Sequence, residues 1–283
     1  MLRRPSKKKP KHRRPSNKTL SPPTETHGVS CVTFLGERDE QEDRFSVTQM
    51  PDGARLLLVA DGHAGAACST FCVDFFPKAL QAHWPKQNGK DCWIRAMKLA
   101  CADTCSAWDR MSCPTYDIAS MRCERDKRQL ADHDTDTSGS TLNAVLILGD
   151  LRVVSLNLGD SRMVLSNGGR IVSSIDHSVS ANTKLVARHR FKKPVVVDGR
   201  LNGILAMSHA VGDNDVDLIG VVSRTPTIFV EKCKKGDRLV VASDGLWDEM
   251  GHQDVLDTFD LMNETVHAMD KHDNTTVLWT TLW

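Results

Sequence analysis

Residues Leu56-Leu57-Leu58-Val59-Ala60 run straight into Asp61-Gly62-His63-Ala64-Gly65. Five apolar residues in a row read as a strand buried on both faces. A carboxylate at the end of such a strand is expensive unless an arginine, a hydrogen-bond network or a metal ion compensates it. The theme recurs where Leu239–Ala242 runs into Ser243-Asp244-Gly245-Leu246-Trp247-Asp248. A third aspartate, Asp273, precedes the strand-like Thr275–Trp279. A fold that buries these strands must also find a partner for their aspartates.

The 283 residues suffice for one large domain or two small ones. With 40% hydrophobic and 26% charged residues, the chain has the composition of a soluble globular protein. No apolar run approaches the roughly 18 residues that span a bilayer, so no membrane association is expected. The basic N-terminus lacks the apolar core of a secretory signal. Nine cysteines, an odd number without a regular framework, suggest reduced thiols and a nuclear or cytoplasmic location.

Residues 1–24 contain nine Lys or Arg and no acid, which leaves a charge of −8 on residues 25–283. The segment 1–24 is expected to be a disordered basic tail. Its basic residues between 3 and 18 suit a nuclear import factor or a nucleic-acid contact, and a plain solvated tail is the alternative. It has no aromatic residue on which bases could stack, which argues against nucleic acid.

Residues 28–34 alternate weakly, and residues 44–60 read as a hairpin turned at Pro51-Asp52-Gly53. Helical spacing follows over 66–85, with Phe71, Phe75 and Phe76 on one side and Pro85 closing the segment. A second helix is predicted from Asp91 to about Arg110, and residues 112–137 read as a loop with a short helical piece. The stretches 142–148, 151–158, 163–166 and 170–175 read as an antiparallel meander. Residues 176–203 lack a pattern and suggest an irregular flap. Thr227–Val230 and Leu239–Ala242 read as a second hairpin, and residues 252–271 as a helix.

Asp61, Asp244 and Asp273 are thus each tied to a strand end, and Glu42-Asp43 adds an acidic pair. Carboxylates that converge without a cation raise one another's pKa. Oxygen ligands select hard ions such as Mg²⁺ or Mn²⁺, and no HExxH or CxxC pair argues for zinc. A single Asp-Gly is an ordinary turn dipeptide. Two copies directly after apolar runs are harder to explain that way.

Seven ordered pieces resemble the type-2C protein Ser/Thr phosphatases of the metal-dependent PPM class. They are Arg38-x-x-x-Glu42-Asp43, Ala60-Asp61-Gly62-His63-Ala64-Gly65, Ser138-Gly139-Ser140-Thr141, Asn157-Leu158-Gly159-Asp160-Ser161-Arg162, Leu205–Asp213, Ser243–Asp248 and Asp273-Asn274-Thr275-Thr276-Val277. The resemblance covers about residues 28–280. It implies an α+β fold, a four-layer α-β-β-α sandwich of two antiparallel sheets face to face with helices outside.

The resemblance also implies a centre of two Mn²⁺ or Mg²⁺ ions and phosphoprotein substrates. Asp61 would bridge the ions, the Gly62 carbonyl would hold one, and Asp244 and Asp273 the other. Glu42 would reach the site through water, with Asp43 behind it. Asp160 and Asp248 match positions linked to a weaker third metal, and a structural role is the alternative for both. In that family-like centre, the two cations would lower the proton affinity of water and so supply a nucleophile near neutral pH. Arg38 would neutralise phosphoryl oxygens, and His63 would protonate the leaving Ser or Thr oxygen. No covalent intermediate is needed, and a monomer is expected.

Three departures set limits. Ser208-His209-Ala210 stands where the family has Ser-Arg-Ala, the flap lacks the usual Glu-x-x-Arg-Ile, and the stretch between Asp248 and Asp273 is short. They leave open a weak or inactive pseudophosphatase that binds phosphoproteins as a regulatory module.

Overall fold

In the computed structural model, residues 24–112, 136–180, 195–214, 218, 221–269 and 272–283 are described. Two antiparallel sheets form the centre. One has six strands in the order β1 (Thr24–Thr26), β2 (Val29–Phe34), β16 (Thr275–Thr281), β15 (Arg238–Ala242), β9 (Arg162–Asn167) and β10 (Arg170–Ser173). The other has five in the order β14 (Thr227–Lys232), β8 (Arg152–Leu158), β7 (Leu142–Ile147), β4 (Arg55–Ala60) and β3 (Arg44–Gln49).

Strand β4 shows how the layers arise. Its side chains alternate across the sheet. Leu57 and Val59 enter the core between the sheets, where they join Val145, Met163, Leu165, Val241 and Leu278. Leu56, Leu58 and Ala60 face outward to a helical layer made by α1 (Ala67–Ala82) and α2 (Lys90–Ser112). Phe76, Leu80, Met97 and Trp108 of these helices complete that core. Each such side chain contributes roughly 1.5–3 kcal/mol when fully buried. On the far face Val164, Val240 and Val277 meet Leu246, Val255, Phe259 and Val266 from short helical pieces. These pieces are α3 (Asp244–Trp247), α4 (His252–Asp257), a 3-10 turn (Phe259–Leu261) and α5 (Met262–Ala268). The order of layers is therefore α-β-β-α, as expected.

Four local expectations need correction. Residues 142–175 are not one meander: β7 and β8 pair as a hairpin, but β9 and β10 lie in the other sheet. The switch occurs at Gly159-Asp160-Ser161, where Gly159 has φ +117° and a Cβ on it would lie 2.6 Å from Thr141 Cγ2. Nor do β14 and β15 form a hairpin, since β14 pairs with β8 and β15 with β9 and β16. Residues 252–271 are not one helix. A 3-10 turn, Phe259–Leu261, divides α4 from α5, next to Thr258, whose hydroxyl bonds back to the carbonyl of Asp254 at 2.9 Å. Finally, α1 does not run to Pro85 but ends at Ala82, and it contains Pro77 in its interior. The proline cannot bond the Val73 carbonyl, which accepts the Ser46 hydroxyl instead, at 3.5 Å.

The expected tail lies outside the described residues except for Thr24, which begins β1. The loop 112–137 is described only at Ser112, the last residue of α2, and at 136–137, and the flap at 176–180 and 195–203. In the latter, β11 (Val196–Val197) pairs with β12 (Arg200–Leu201). A third ribbon joins β13 (Val211–Gly212), β6 (Gly139–Ser140) and β5 (Gly62–His63). Among the described residues no helix is long and apolar enough to cross a membrane.

Candidate metal centre

Asp61 leaves the end of β4 in one sheet, and Asp244 follows β15 in the other. The backbone of Asp61 is fixed on several sides. Its N–H donates to Thr141 Oγ1 at 2.9 Å, and its carbonyl accepts the Thr141 N–H at 2.9 Å and the Ser140 hydroxyl at 3.1 Å. Thr141 Oγ1 is itself bonded to Ser161 Oγ at 2.7 Å. Gly62 must be glycine, because a Cβ there would lie 2.6 Å from the Glu42 carbonyl oxygen and 2.7 Å from Ser69 Oγ.

The carboxylates crowd one another. Asp61 shares a hydrogen bond with Asp244. Burial first, and then the charges of Asp43, Asp244 and Asp160, push the Asp61 carboxyl well above the usual range. Burial likewise moves Asp43 to about 7, against the opposing Ser243 hydroxyl, which donates to it at 2.8 Å. Asp160 rises to about 8 through burial and the charges of Asp244 and Asp176. Asp244 rises to about 6, again through burial first. Asp160, Asp244 and Asp248 line one cleft of about 200 Å³ with Arg162, Asp176 and Trp247.

Asp273 and Glu42 lie within reach but are engaged elsewhere. Asp273 Oδ2 accepts from Arg38 Nη2 at 2.6 Å and its Oδ1 from the Asn274 N–H at 2.7 Å. Glu42 Oε1 accepts the Gly65 N–H at 2.5 Å. Its own N–H donates to Asn274 Oδ1 at 2.8 Å. Among the described residues no three carboxylate, imidazole or thiol groups close a ligand shell around one point. Asp273 and Glu42 are held by these chain partners instead.

The donor set nonetheless fits a hard divalent cation. It consists of oxygens, and one buried oxygen each of Asp43 and Asp160 has no partner among the described residues. Carboxylates this close raise one another's pKa, and a divalent cation among them would offset that cost. Asp61, Asp244, Asp160 and Asp43 form the inner group, with Asp273, Glu42 and Asp248 beside it.

His63 sits in β5. Its Nε2 lies 2.6 Å from Asp213 Oδ1, while Nδ1 has no partner among the described residues. Burial lowers its pKa, but the hydrogen bond and charge of Asp213 outweigh this and the net shift is upward. Sequence reasoning quoted Asp213 without giving it a task, because nothing local links it to a residue 150 positions away. It also missed Ser243 and Asn274, which tie Asp43, Glu42 and Asp273 together. Both fall inside the family-like stretches Ser243–Asp248 and Asp273–Val277, where each adjoins a strand-end aspartate.

The family model described as Protein phosphatase 2C matches residues 33–275. A probable protein phosphatase 2C 78 of Arabidopsis thaliana is 36% identical over 245 residues, covering 80% of this chain and 54% of that protein. The chain spans 54 to 62% of the length of the curated relatives it matches. Serine-threonine phosphatase 2C from Toxoplasma gondii shares the fold with a TM-score of 0.67 at 18% identity, covering 92% of this chain and 97% of that one. The catalytic domain of the serine/threonine protein phosphatase PstP, in complex with two manganese ions, superposes with a TM-score of 0.57 at 21% identity. That match covers 90% of this chain and 98% of the other.

Proposed function

The chain belongs to the protein phosphatase 2C family, and from that premise we propose that it hydrolyses phosphoserine and phosphothreonine in proteins, using Mn²⁺ or Mg²⁺. The observation that carries this reading is the crowding of Asp61, Asp244, Asp160 and Asp43 at strand ends of the two sheets, where burial and neighbouring carboxylates raise their pKa values. The phosphatase structure with two manganese ions supports the same kind of ion here.

Asp61 and Asp244 would hold the cations, with Gly62 alongside Asp61 and with Asp273 and Glu42 completing the set. Asp160 and Asp248 would serve a weaker third ion. Bound there, such ions supply Lewis acidity to the phosphoryl group and to water. Arg38, 54% exposed, can turn its planar fork to the phosphoryl oxygens. His63 donates a proton to the departing Ser or Thr oxygen. Cys68 offers no competing nucleophile, since burial and its neighbour Cys72 push its thiol well above the usual value. The proposed hydrolysis needs no covalent intermediate.

The decisive experiment is hydrolysis of a phosphothreonine peptide by the purified chain with Mn²⁺, after chelation, and in the Asp61→Asn variant. Activity that survives chelation or Asp61→Asn sinks the metal-dependent reading. A regulatory pseudophosphatase is the second reading, favoured by the engagement of Asp273 with Arg38 and of Glu42 with Gly65. Calorimetry that detects no Mn²⁺ binding would select it. The catalytic unit proposed is residues 25–283, acting as a monomer in the nucleus or cytoplasm. Residues 3–18 would engage an import factor, and loss of nuclear signal on deleting 1–24 tests that role.

A further inference from the structure

The charge of the chain is sorted into two blocks. Residues 1–24 hold nine Lys or Arg and no acid, while residues 239–270 hold eight Asp or Glu and no Lys or Arg. Subtracting both blocks from the totals of 37 basic and 36 acidic residues leaves 28 of each, so the rest of the chain is balanced. The acidic block builds α3, α4 and α5 over the outer face of the six-stranded sheet. Leu246, Val255, Phe259 and Val266 point inward to the strands. The outer side carries Asp248, Glu249, Asp254, Asp257, Asp260 and Glu264, all exposed. Within the described residues only Asp260 of these six forms an ion pair, with Arg238 at 2.7 Å. A surface of one sign this extended attracts a block of the opposite sign.

The basic block begins close by. Thr24 opens β1, and Val32 of the neighbouring β2 packs under the same helical layer. Three strand spacings, about 14 Å, separate β1 from β15. Lys18 precedes Thr24 by six residues, a reach of up to about 20 Å, and the bases before it reach further. Because β1 is antiparallel to β2, its Thr24 end points the same way as Phe34, toward the loop that carries Arg38 and Glu42. Asp248 sits on the rim of that region, since it also lines the cleft with Asp160 and Asp244.

We propose that residues 3–18 dock in cis on the acidic outer side of α3, α4 and α5. The contact is spread over many exposed charge pairs, each weak alone. The tether offsets that weakness. It supplies an effective concentration of the order of 1 mM, so an affinity of about 100 µM for the free segment keeps it docked about ten to one. Salt releases it by screening. An import factor that takes residues 3–18 would have to displace them from this face. The inference stands independently of the phosphatase reading.

Limited trypsin digestion of the full chain tests the docking, with a synthetic peptide of residues 1–24 as the undocked reference. At about 0.05 M salt, cleavage between residues 3 and 18 should be about tenfold slower in the chain than in the peptide. At about 0.5 M salt the two rates should agree within about twofold. Asp257→Asn with Glu264→Gln should bring the low-salt ratio below about threefold. Asp74→Asn with Asp91→Asn makes the same charge change at exposed sites on α1 and α2, and should leave the ratio near its wild-type value. Equal rates in chain and peptide at low salt would overturn the proposal, as would equal effects of the two double variants. Carbodiimide coupling of the wild-type chain at low concentration identifies the occupant without any variant. Links from Lys7, Lys8, Lys9, Lys11 or Lys18 to Asp254, Asp257, Asp260 or Glu264 within one molecule support the proposal. Links to other faces, or only between two copies, overturn it.

Discussion

Arg38 grips Asp273 at 2.6 Å, so one residue expected to bind phosphate occupies another expected to bind a cation. The two tasks compete as long as this ion pair lasts. Both partners are well exposed, at 54% and 39%, and such pairs contribute about 0–1 kcal/mol. Removing Arg38 should therefore leave thermal stability nearly unchanged. Calorimetry on Arg38→Ala should show Mn²⁺ binding tightened by up to about fivefold, while KM for a phosphopeptide rises. Weaker Mn²⁺ binding in the variant would show that the pair helps the site.

Gly245 gives a packing test. A Cβ there would lie 2.2 Å from the Asn274 carbonyl oxygen and 2.6 Å from Thr275 Oγ1. Gly245→Ala should cost about 1–3 kcal/mol by urea unfolding. It should also weaken Mn²⁺ binding by displacing Asp244. At Gly149, by contrast, the nearest atom to a new Cβ is 3.6 Å away, and Gly149→Ala should stay within about 0.5 kcal/mol.

The chelated protein should lose stability as pH rises from 6.5 to 8. Asp43 and Asp160 have folded pKa values of about 7 and about 8, far above the ordinary carboxylate value of about 3.9. The folded chain thus keeps protons that the unfolded chain has released, and the stabilisation drains away as pH passes through the folded values. Saturating Mn²⁺ should flatten the slope, since the ion replaces the protons. Urea midpoints at pH 6.5 and 8, with chelator and with metal, check both parts. A midpoint that climbs with pH under chelator would contradict the crowding described.

His177 should act with the opposite sign. Burial lowers its pKa to about 4. Its Nδ1 accepts the Gly159 N–H at 3.0 Å, and its ring stacks on His209 at 4.1 Å. The neutral ring is stabilising above the unfolded pKa of about 6.5, and that stability is lost as pH falls toward 4. The loss approaches about 3 kcal/mol across the window. His177→Asn keeps an acceptor for Gly159, so its unfolding free energy should fall less than the wild type's between pH 6.5 and 4.5. Parallel pH slopes would remove His177 from the account.

What could be read from sequence depended on the range of the interaction. The five-residue apolar run Leu56–Ala60 declared a strand buried on both faces, and β4 is covered by helices on one side and a sheet on the other. Strand ends could be located because Asp-Gly follows apolar runs directly. The assignment of strands to sheets could not. The turns at Gly159–Ser161 and at residues 233–237 look like hairpin turns, yet both carry the chain from one sheet to the other. The break at Thr258 was hidden because the apolar spacing continues through it. The pairing of His63 with Asp213 left no trace in either segment, since it depends on three glycine-bearing strands meeting.

Asp61 hangs from one sheet and Asp244 and Asp273 from the other. A cation held among them would act as a rivet through two plates, and its affinity would gauge how the plates are aligned. Substitutions of Leu57, Met163 or Val241, buried between the sheets and away from any ligand, would then register first as lost ion affinity. With such an ion bound, the alignment of the two sheets would be legible at a single point on their edge.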